Sequence, residues 1–293
     1  WINDATVGGT CSNIVVDSSG DPTISFTADP LTLATDSCTI EYQVQVDLLV
    51  NPNETYQNTA TLNYSTAPGN GSEIRDSSDM DQTTFMTPDP AIMKVSANSS
   101  LSDTGDNQYD MLIPDLAISE TIDFTLTVIF PEGTTTNAVV QDLLPIAADG
   151  GLLEVIGASV NTIGNLSTTL PGTPVFSDRD TDPNSINDTV TFDFGTVTNA
   201  PDGMVDLNDQ LTITVTARVV NDPLNVDGVL LTNNASFTYG AGTVLSDTAQ
   251  VEIVEPNLGL AKSFGQVSNL VVPITLTLNN TGGTAAAYDL VLE

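Results

Sequence analysis

The chain has 293 residues, of which 38 are Asp or Glu and five are Lys or Arg, so its net charge is −33. This charge argues against nucleic acids and anionic membrane surfaces as partners. The absence of histidine excludes a Ser/His/Asp triad and a histidine-ligated zinc site. Helix formers are scarce and Thr, Val, Asn, Asp and Gly abundant, which predicts an all-β protein. Because such a chain repels itself unless ions screen it, we expect a salty extracellular setting.

The first segment, residues 1–88, contains both cysteines of the chain, Cys11 and Cys38. An even pair in a secreted-looking β-protein favours a disulfide, with two free thiols in a reducing compartment as the alternative. No apolar run approaches membrane-spanning length, and no signal peptide or anchor motif is present. The chain begins at Trp1 without Met, so we expect either a processed product or a slice of a longer polypeptide.

Strands are predicted late in the first segment. Apolar and polar residues alternate from Cys38 to Leu48, the period-two pattern of a half-buried strand. A turn at residues 51–53 and a second strand starting near Asn58 follow. No opening strand that ends in lysine is found here, so the segment resembles the second half of a β-domain.

The middle segment, residues 89–254, is predicted to be a complete β-sandwich. Two of its strands have one apolar face each, as two facing sheets would require. The faces consist of Ile122, Phe124, Leu126, Val128 and Phe130, and of Leu211, Ile213, Val215, Ala217 and Val219. Strands are predicted at residues 91–97, 122–130, 138–144, 152–160, 189–195, 211–219, 229–239 and 248–254.

The third segment, residues 255–293, starts the pattern again. FTLTV (124–128) recurs as ITLTL (274–278), and the strand that approaches Asp142 is echoed at residues 288–292. The chain therefore begins with the back half of a domain and ends with a front half. It is either a slice of a longer repeat array or a subunit completed head to tail by other copies of itself, and both arrangements give a linear fibre.

Further repeated motifs mark the joints between the segments. NTATLNY (58–64) recurs as NNASFTY (233–239), and PDPAIMK (88–94) recurs as PNLGLAK (256–262). With the turn DLLP (142–145), this order of motifs resembles the tandem Ig-like surface repeats known as domain of unknown function eleven, which overlap with isopeptide-forming fimbrial and adhesin domains. The resemblance implies tandem Ig-like Greek-key sandwiches, one complete and two partial, in a surface stalk, adhesin or fimbrial shaft.

The resemblance also implies a chemistry for lysine. The two lysines, Lys94 and Lys262, hold the same place in the repeat, and strand parity points Lys262 toward a core. Burial lowers the pKa of an amine, and a neutral amine can attack a carboxamide. Lys94 would bond to Asn233 with Asp142 as the buried acid, for which Glu120 is the alternative. Lys262 would react with groups beyond Glu293, and Asn58 would be the acceptor of the first segment. Otherwise the lysines only guard edge strands and the asparagines satisfy backbone groups.

An acidic loop offers a candidate calcium site. Hard oxygen ligands occur at every second position of this loop, and one more follows a few residues later. The alternative is an acidic loop that is simply solvated. The ligands would be Asp178, Asp180, Asp182, Asn184 and Asp188. Weaker clusters fall at residues 202–209 and 103–110.

Several Asn-x-Ser/Thr sequons also occur, and they matter only if the source glycosylates this motif. The candidates are Asn63, Asn98, Asn165 and Asn234. Taken together, the sequence predicts a non-enzymatic structural repeat unit of an extracellular filament or stalk whose partners are other copies of itself. The alternative is a calcium-dependent adhesin that binds a glycan or a partner surface.

Overall fold

The computed structural model describes residues 6–10, 15–20, 23–27, 37–65, 75–101, 104, 113–147, 150–179, 186–266, 268–283 and 285–292. Its contacts divide the chain into two compact units, Trp1–Asp47 and Leu48–Glu293. The predicted all-β class is confirmed, since strands make up nearly all the regular structure of the described residues.

The first unit contains two small antiparallel ladders. Strand β1 (Thr6–Gly9) pairs with β4 (Cys38–Glu41), and β2 (Val15–Gly20) pairs with β3 (Thr23–Thr27). The predicted strand from Cys38 to Leu48 is therefore wrong beyond Glu41. In the register of this ladder, Glu41 lies opposite Thr6, the first residue of β1, so the strand ends where its partner does.

The second unit contains all the remaining strands and one short helix. The strands are β5 (Thr55–Ser65), β6 (Asp76–Met86), β7 (Ala91–Ala97), β8 (Asp115–Leu116), β9 (Thr121–Ile129), β10 (Gly133–Leu143), β11 (Ile146–Ala147), β12 (Gly150–Gly151), β13 (Leu153–Thr162), β14 (Ser167–Thr168), β15 (Val175–Ser177), β16 (Thr189–Asn199), β17 (Gln210–Val219), β18 (Val229–Tyr239), β19 (Thr243–Ile253), β20 (Leu258–Phe264) and β21 (Ile274–Asn280). The 3-10 helix spans Leu207–Asp209 and is capped by the side chain of Asp206.

The middle segment folds as a two-sheet sandwich. One sheet has four strands in the order β13-β17-β9-β7. The other has the order β14-β16-β10-β18-β19-β8, with β15 also paired to β16. Its pairs are antiparallel except β19 with β8. The strand at residues 229–239 has the predicted bounds, whereas β10 and β19 each begin five residues before the prediction.

The core lies between these sheets. Both predicted apolar faces are buried, because every one of their ten residues is at most 1 % exposed. The prediction that they belong to two facing sheets is wrong, because β9 and β17 pair with each other in one sheet. Phe237 of the facing sheet packs edge-on against Phe130 with ring centroids 5.5 Å apart. Burying each such side chain contributes about 1.5–3 kcal/mol to stability. Because side chains alternate strictly between the two faces of a strand, polar residues at inward positions of these strands must also point into the core.

Two long hairpins, and the short pair of β11 with β12, lie outside the sandwich sheets. Among the described residues, β5 pairs with β6 alone, and β20 pairs with β21 alone. Residues 288–292, where a further strand was predicted, are described without strand structure. The β5–β6 hairpin is tied to the sandwich at its base, where Asn51 Oδ1 accepts hydrogen bonds from the backbone and hydroxyl of Thr136 at 3.3 and 2.9 Å.

Candidate functional site: a buried lysine between two sheets

Lys94 lies on β7, the edge strand of the four-stranded sheet. Its neighbours Met93 and Val95 face outward, so alternation turns the Lys94 side chain into the core, where the residue is 4 % exposed. On the open side of β7, the Lys94 backbone N–H donates a 2.7 Å hydrogen bond to Asp247 Oδ2 on β19. This contact holds the edge of one sheet against an outer strand of the other.

Asp142 lies on β10, a central strand of the facing sheet. It alternates with Val140 and Leu144 as an inward-facing residue and is fully buried. Its Oδ1 lies 2.6 Å from Lys94 Nζ, and neither side chain is exposed to solvent. The amine also lies 5.0 Å from the ring centroid of Phe124. The structure therefore places an amine and a carboxyl in direct contact inside an apolar core.

Asn233 lies on β18, the strand next to β10. It is fully buried beside Ala235 and Phe237, which share its inward face. Neither the oxygen nor the nitrogen of its amide has a hydrogen-bond partner, and the same is true of Asp142 Oδ2. The amide nevertheless lies close enough to Asp142 to lower the pKa of that carboxyl. A buried amide without partners costs about 1–3 kcal/mol for each unsatisfied group.

Burial acts on both titratable groups of this site. It lowers the pKa of Lys94 to about 8, against the opposing attraction of Asp142 and Asp247. Burial also raises the pKa of Asp142, against the opposing effects of Lys94 and Asn233. Both shifts favour the uncharged pair, a free amine beside a protonated carboxyl, because a charge is poorly solvated in the core.

These three groups have the chemistry of an amide exchange. A neutral amine is a nucleophile, a carboxamide is an electrophile, and a protonated carboxyl can donate to the carbonyl oxygen or the leaving nitrogen. Glu120, the alternative acid, is placed elsewhere. Its carboxylate accepts hydrogen bonds from the backbone of Leu101 and Ala117 and from the Thr104 hydroxyl, which organises the loop before β9.

The other two predicted cross-linking residues lie on the outer hairpins. Lys262 on β20 is exposed, contrary to its predicted inward direction, because β20 and β21 have no facing sheet among the described residues. It shares a face with Leu258, Leu260 and Phe264, as its parity predicted. Asn58 on β5 is likewise exposed, and it lies opposite Thr83 of β6.

The predicted disulfide and calcium site lie partly outside the described residues. Cys11 is not described, but Gly9, two residues before it, is the register partner of Cys38. Among the ligands proposed for calcium, Asp180, Asp182 and Asn184 are not described. Asp188 is fully buried and accepts hydrogen bonds from the Arg179 backbone and the Thr189 hydroxyl. Within the described ranges, no three acidic or cysteine side chains gather closely enough to hold a metal ion. Both sites stay predictions.

The four sequon asparagines are all exposed, as glycan attachment would require: Asn63, Asn98, Asn165 and Asn234. The weaker acidic cluster at 202–209 has a structural role. Asp206 and Asp209 form a reciprocal capping box around the 3-10 helix. No helix of the described chain is long and apolar enough to cross a bilayer.

Sequence reasoning missed Asp247, whose carboxylate holds the Lys94 backbone. The signal was present, because Asp247 has the same parity as the buried residues Ala249, Val251 and Ile253. An acidic residue on the inward parity of a strand indicates a polar partner across the core.

No family profile matches the chain, and no curated protein matches it. Membership of the domain-of-unknown-function-eleven family is therefore not established. The solved structures that match include BcpA, the major pilin subunit of Bacillus cereus, with a TM-score of 0.32 and 10 % identity over 82 % of this chain and 56 % of that chain. The pilus backbone of Streptococcus pneumoniae matches with a TM-score of 0.29 and 14 % identity over 52 % of this chain and 31 % of that one.

A 35 kDa C-terminal fragment of the major pilin of Streptococcus agalactiae matches with a TM-score of 0.28 and 12 % identity, over 62 % of this chain and 60 % of the fragment. This chain thus spans about half of BcpA, the first of these structures. These neighbours are pilus subunits by name, but TM-scores this low carry no argument about function.

Proposed function

We propose that this chain is a structural, load-bearing unit of an extracellular filament or stalk, and that an isopeptide bond between Lys94 and Asn233 staples its sandwich. The observation that supports this most directly is the fully buried Lys94–Asp142 contact at 2.6 Å beside an amide without partners. An ordinary core would be expected to replace such a cluster with apolar side chains, since buried ion pairs rarely stabilise a fold.

The reaction starts from the uncharged pair. Lys94 Nζ attacks Asn233 Cγ, while the Asp142 carboxyl donates its proton toward the amide oxygen and stabilises the tetrahedral intermediate. The nitrogen of the former lysine then loses a proton to Asp142, which passes it to the departing amide nitrogen. The C–N bond to that nitrogen breaks, ammonia leaves, and the carbonyl reforms as its oxygen returns the first proton to Asp142. The product is a secondary amide between Lys94 and Asn233, and Asp142 ends in its starting state.

The bond would join the two sheets of the sandwich. Lys94 lies on the first strand of the domain and Asn233 on the penultimate long strand, in the facing sheet. Tension that enters near β7 would pass through a covalent link to β18 and leave through β19. The segment between the two residues, which includes both core faces, would then carry no load.

Force spectroscopy on the full chain, attached through its two ends, tests this function. In the native chain, the segment between Lys94 and Asn233 should never be released, because the cross-link bypasses it. In the Asp142→Asn variant the same segment should unfold and add about 500 Å of extended chain.

The matched control is Asp188→Asn, which changes another fully buried aspartate, whose charged neighbour is Arg179. It should keep the short extension of the native chain. A native chain that releases the full length of the sandwich would contradict a load-bearing cross-link.

The proposed setting is outside the cell, with other copies of the chain as partners. The net charge of −33 suits a medium in which salt screens repulsion between copies. In that setting a Cys11–Cys38 disulfide and calcium at the loop of residues 178–188 would add local constraints.

A further inference from the structure

Asp247 of β19 binds the backbone of the residue that carries the proposed nucleophile. Its Oδ2 accepts a hydrogen bond from the Lys94 N–H at 2.7 Å, and its Oδ1 accepts one from the Thr248 N–H at 2.9 Å. Hydrogen bonds to a carboxylate are roughly twice as strong as those between neutral groups. Asp247 therefore ties β7 to β19 at the lysine itself.

Asp247 also lies in one row with the acid of the site. Asp142 of β10 is the register partner of Ala235 of β18, and Ala235 is in turn the partner of Asp247 of β19. Lys94 approaches this row from the facing sheet. Its backbone N–H binds Asp247 at one end of the row, and its Nζ binds Asp142 at the other end, at 2.6 Å. The lysine is thus held at two points, by its backbone and by its amine.

The amide that would be attacked lies beside the same row. Asn233 is two residues before Ala235 on the inward face of β18, and both residues are fully buried. The ladder between β18 and β19 runs from Val229 to Tyr239 without a register shift. Backbone pairing therefore fixes the position of Asp247 relative to Asn233, so a residue tied to Asp247 is also placed relative to the amide.

Strand β7 gains from this second tie because its own pairing is one-sided. Among the described strands it pairs with β9 alone, as the edge of the four-stranded sheet. Backbone on an open edge opens more easily than backbone with a partner on each side. In a reaction between oriented groups, a displacement of about 1 Å can lower the rate roughly a hundredfold. The contact with Asp247 limits such displacement at Lys94, the residue that must attack.

Asp247 has an electrostatic effect as well, and this effect opposes the reaction. Burial, the largest effect, lowers the pKa of Lys94, whereas the carboxyl groups of Asp142 on β10 and Asp247 on β19 raise it. From β9 the amine faces the neutral ring of Phe124. The charge of Asp247 thus keeps part of the population as the unreactive ammonium ion. Because its position and its charge have opposite consequences, substitutions can separate them.

We propose that Asp247 is a positioning residue of the cross-linking reaction, which clamps the backbone of Lys94 so that Nζ stays directed at Asn233. This inference rests on the isopeptide chemistry proposed for Lys94, Asp142 and Asn233. Asp247 itself forms and breaks no covalent bond and transfers no proton. It holds the nucleophile in place on an open sheet edge, while burial in the core activates the amine.

Refolding of the full chain starts the reaction at a known time. The chain is produced as inclusion bodies and purified in acidic urea with reductant, where it is unfolded and its lysines are protonated. It is then diluted into salt buffer at pH 7, and the mass of the intact chain at successive times measures the loss of ammonia. The rate is compared between the native chain, Asp247→Asn and Asp247→Ala.

The two variants lack the same charge but differ in one acceptor. The amide oxygen of Asp247→Asn can still accept the hydrogen bond from the Lys94 N–H, so this variant should react at least as fast as the native chain. Asp247→Ala loses the clamp and should react roughly ten- to a hundredfold more slowly than Asp247→Asn.

The matched control is Asp81→Ala on the β5–β6 hairpin. Asp81 is the register partner of Ala60 as Asp247 is of Ala235, and its Oδ1 also accepts a 2.9 Å hydrogen bond from the next backbone N–H. Asp81 is exposed, however. Asp81→Ala should therefore lose the same local hydrogen bond and keep the native rate.

Hydrogen exchange separates the position of the lysine from the folding of the sandwich. It is measured in an Asn233→Ala background, in which the cross-link cannot form. The Lys94 N–H should be protected when Asp247 is present and should exchange faster with Asp247→Ala. The amides of β9 should stay protected in both chains.

Equal rates for Asp247→Asn and Asp247→Ala would overturn this inference and leave the proposed function standing. Loss of protection throughout β9 with Asp247→Ala would also overturn it, since Asp247 would then be required for the fold rather than for the reaction. A native chain that refolds without losing ammonia would overturn both the inference and the proposed cross-link.

Discussion

At the scale of single residues, two opposing effects set the protonation state of Lys94. Burial favours the neutral amine, while the Asp142 carboxyl 2.6 Å away favours the ammonium ion. The balance sets the pKa of Lys94 at about 8, so roughly a tenth of the population is uncharged at pH 7. A surface lysine would be almost wholly protonated there. The core thus supplies the activation that an external base would otherwise provide.

The lowered pKa predicts a pH dependence of stability in the Asn233→Ala variant, in which Lys94 cannot react. Between pH 8 and 10.5 the folded chain has lost the Lys94 proton while the unfolded chain still binds it, so the free energy of unfolding rises with pH. The full gain is on the order of 3 kcal/mol. Urea denaturation across this range measures it.

A second substitution separates Lys94 from other groups that titrate in the same range. Adding Lys94→Met to Asn233→Ala should remove the rise, whereas adding Lys262→Met should leave it, because Lys262 is exposed. Equal slopes with and without Lys94 would show that its pKa is not lowered.

Asp142 is predicted to be required for the cross-link. Asp142→Asn keeps the size of the side chain but removes the group that carries the proton, so the chain should retain its full mass. Asp188→Asn, at an equally buried position, should still lose one ammonia. Mass spectrometry of the two denatured variants measures whether each has lost ammonia. Full loss of ammonia in Asp142→Asn would assign the acid to another residue.

Part of this site could be predicted from sequence. Strand parity gave the inward directions of Lys94 and Asn233, because each lies among alternating apolar residues. The contact between Lys94 and Asp142 joins residues of facing sheets that are 48 positions apart, which no local pattern encodes. For Lys262, strand parity led to a wrong prediction of burial. Parity shows which face of the strand a side chain occupies, but not whether another sheet covers that face.

At the scale of elements, close packing against Phe194 of β16 makes one glycine costly to replace. Gly172 has a φ of +63°, and a Cβ there would lie 2.1 Å from a ring carbon of Phe194, which is fully buried. Gly240 has a similar φ of +60° but open space around its Cα. Both glycines avoid the cost of a left-handed conformation, and only Gly172 also makes room for a ring.

This difference predicts unequal effects of the same substitution. Gly172→Ala and Gly240→Ala should each lose about 1–2 kcal/mol from the positive φ. Gly172→Ala should lose a further ~1–3 kcal/mol from the clash with Phe194. Guanidinium denaturation of both variants gives the comparison. Equal losses would mean that the ring moves aside freely.

Strands of the sandwich were predictable because alternation is strict where two sheets face each other. The strand at 229–239 matched its prediction, and the faces of β9 and β17 were identified in full. The strand from Cys38 failed because a pattern shows which side chains suit a strand but not how far its partner extends. Pairing lengths depend on residues far away in sequence.

At the scale of the whole molecule, charge dominates. Thirty-eight acidic residues against five basic ones place strong repulsion within the folded chain. Adding NaCl should therefore raise the midpoint of thermal unfolding, and KCl should act equally because the effect is one of screening. Differential scanning calorimetry at increasing salt measures the shift. A midpoint independent of salt would show that the charges are too far apart to matter.

Calcium can be separated from screening in the same experiment. At equal ionic strength, CaCl₂ should stabilise the chain more than NaCl only if carboxylates bind the ion. Substitution of Asp188, the buried member of the predicted ligand set, should then abolish the difference. If calcium stabilises the chain no more than sodium does, the acidic loop is a solvated loop that binds no calcium.

The central claim is that Lys94 and Asn233 become one covalent unit, and the mass of the purified, reduced and denatured chain tests it most directly. Digestion should use a protease that cleaves at acidic residues, because the chain has only five basic ones. We expect the monomer to be lighter than its sequence by one ammonia, with Lys94 and Asn233 in a single branched peptide. A full sequence mass, with the two residues in separate linear peptides, would contradict the account.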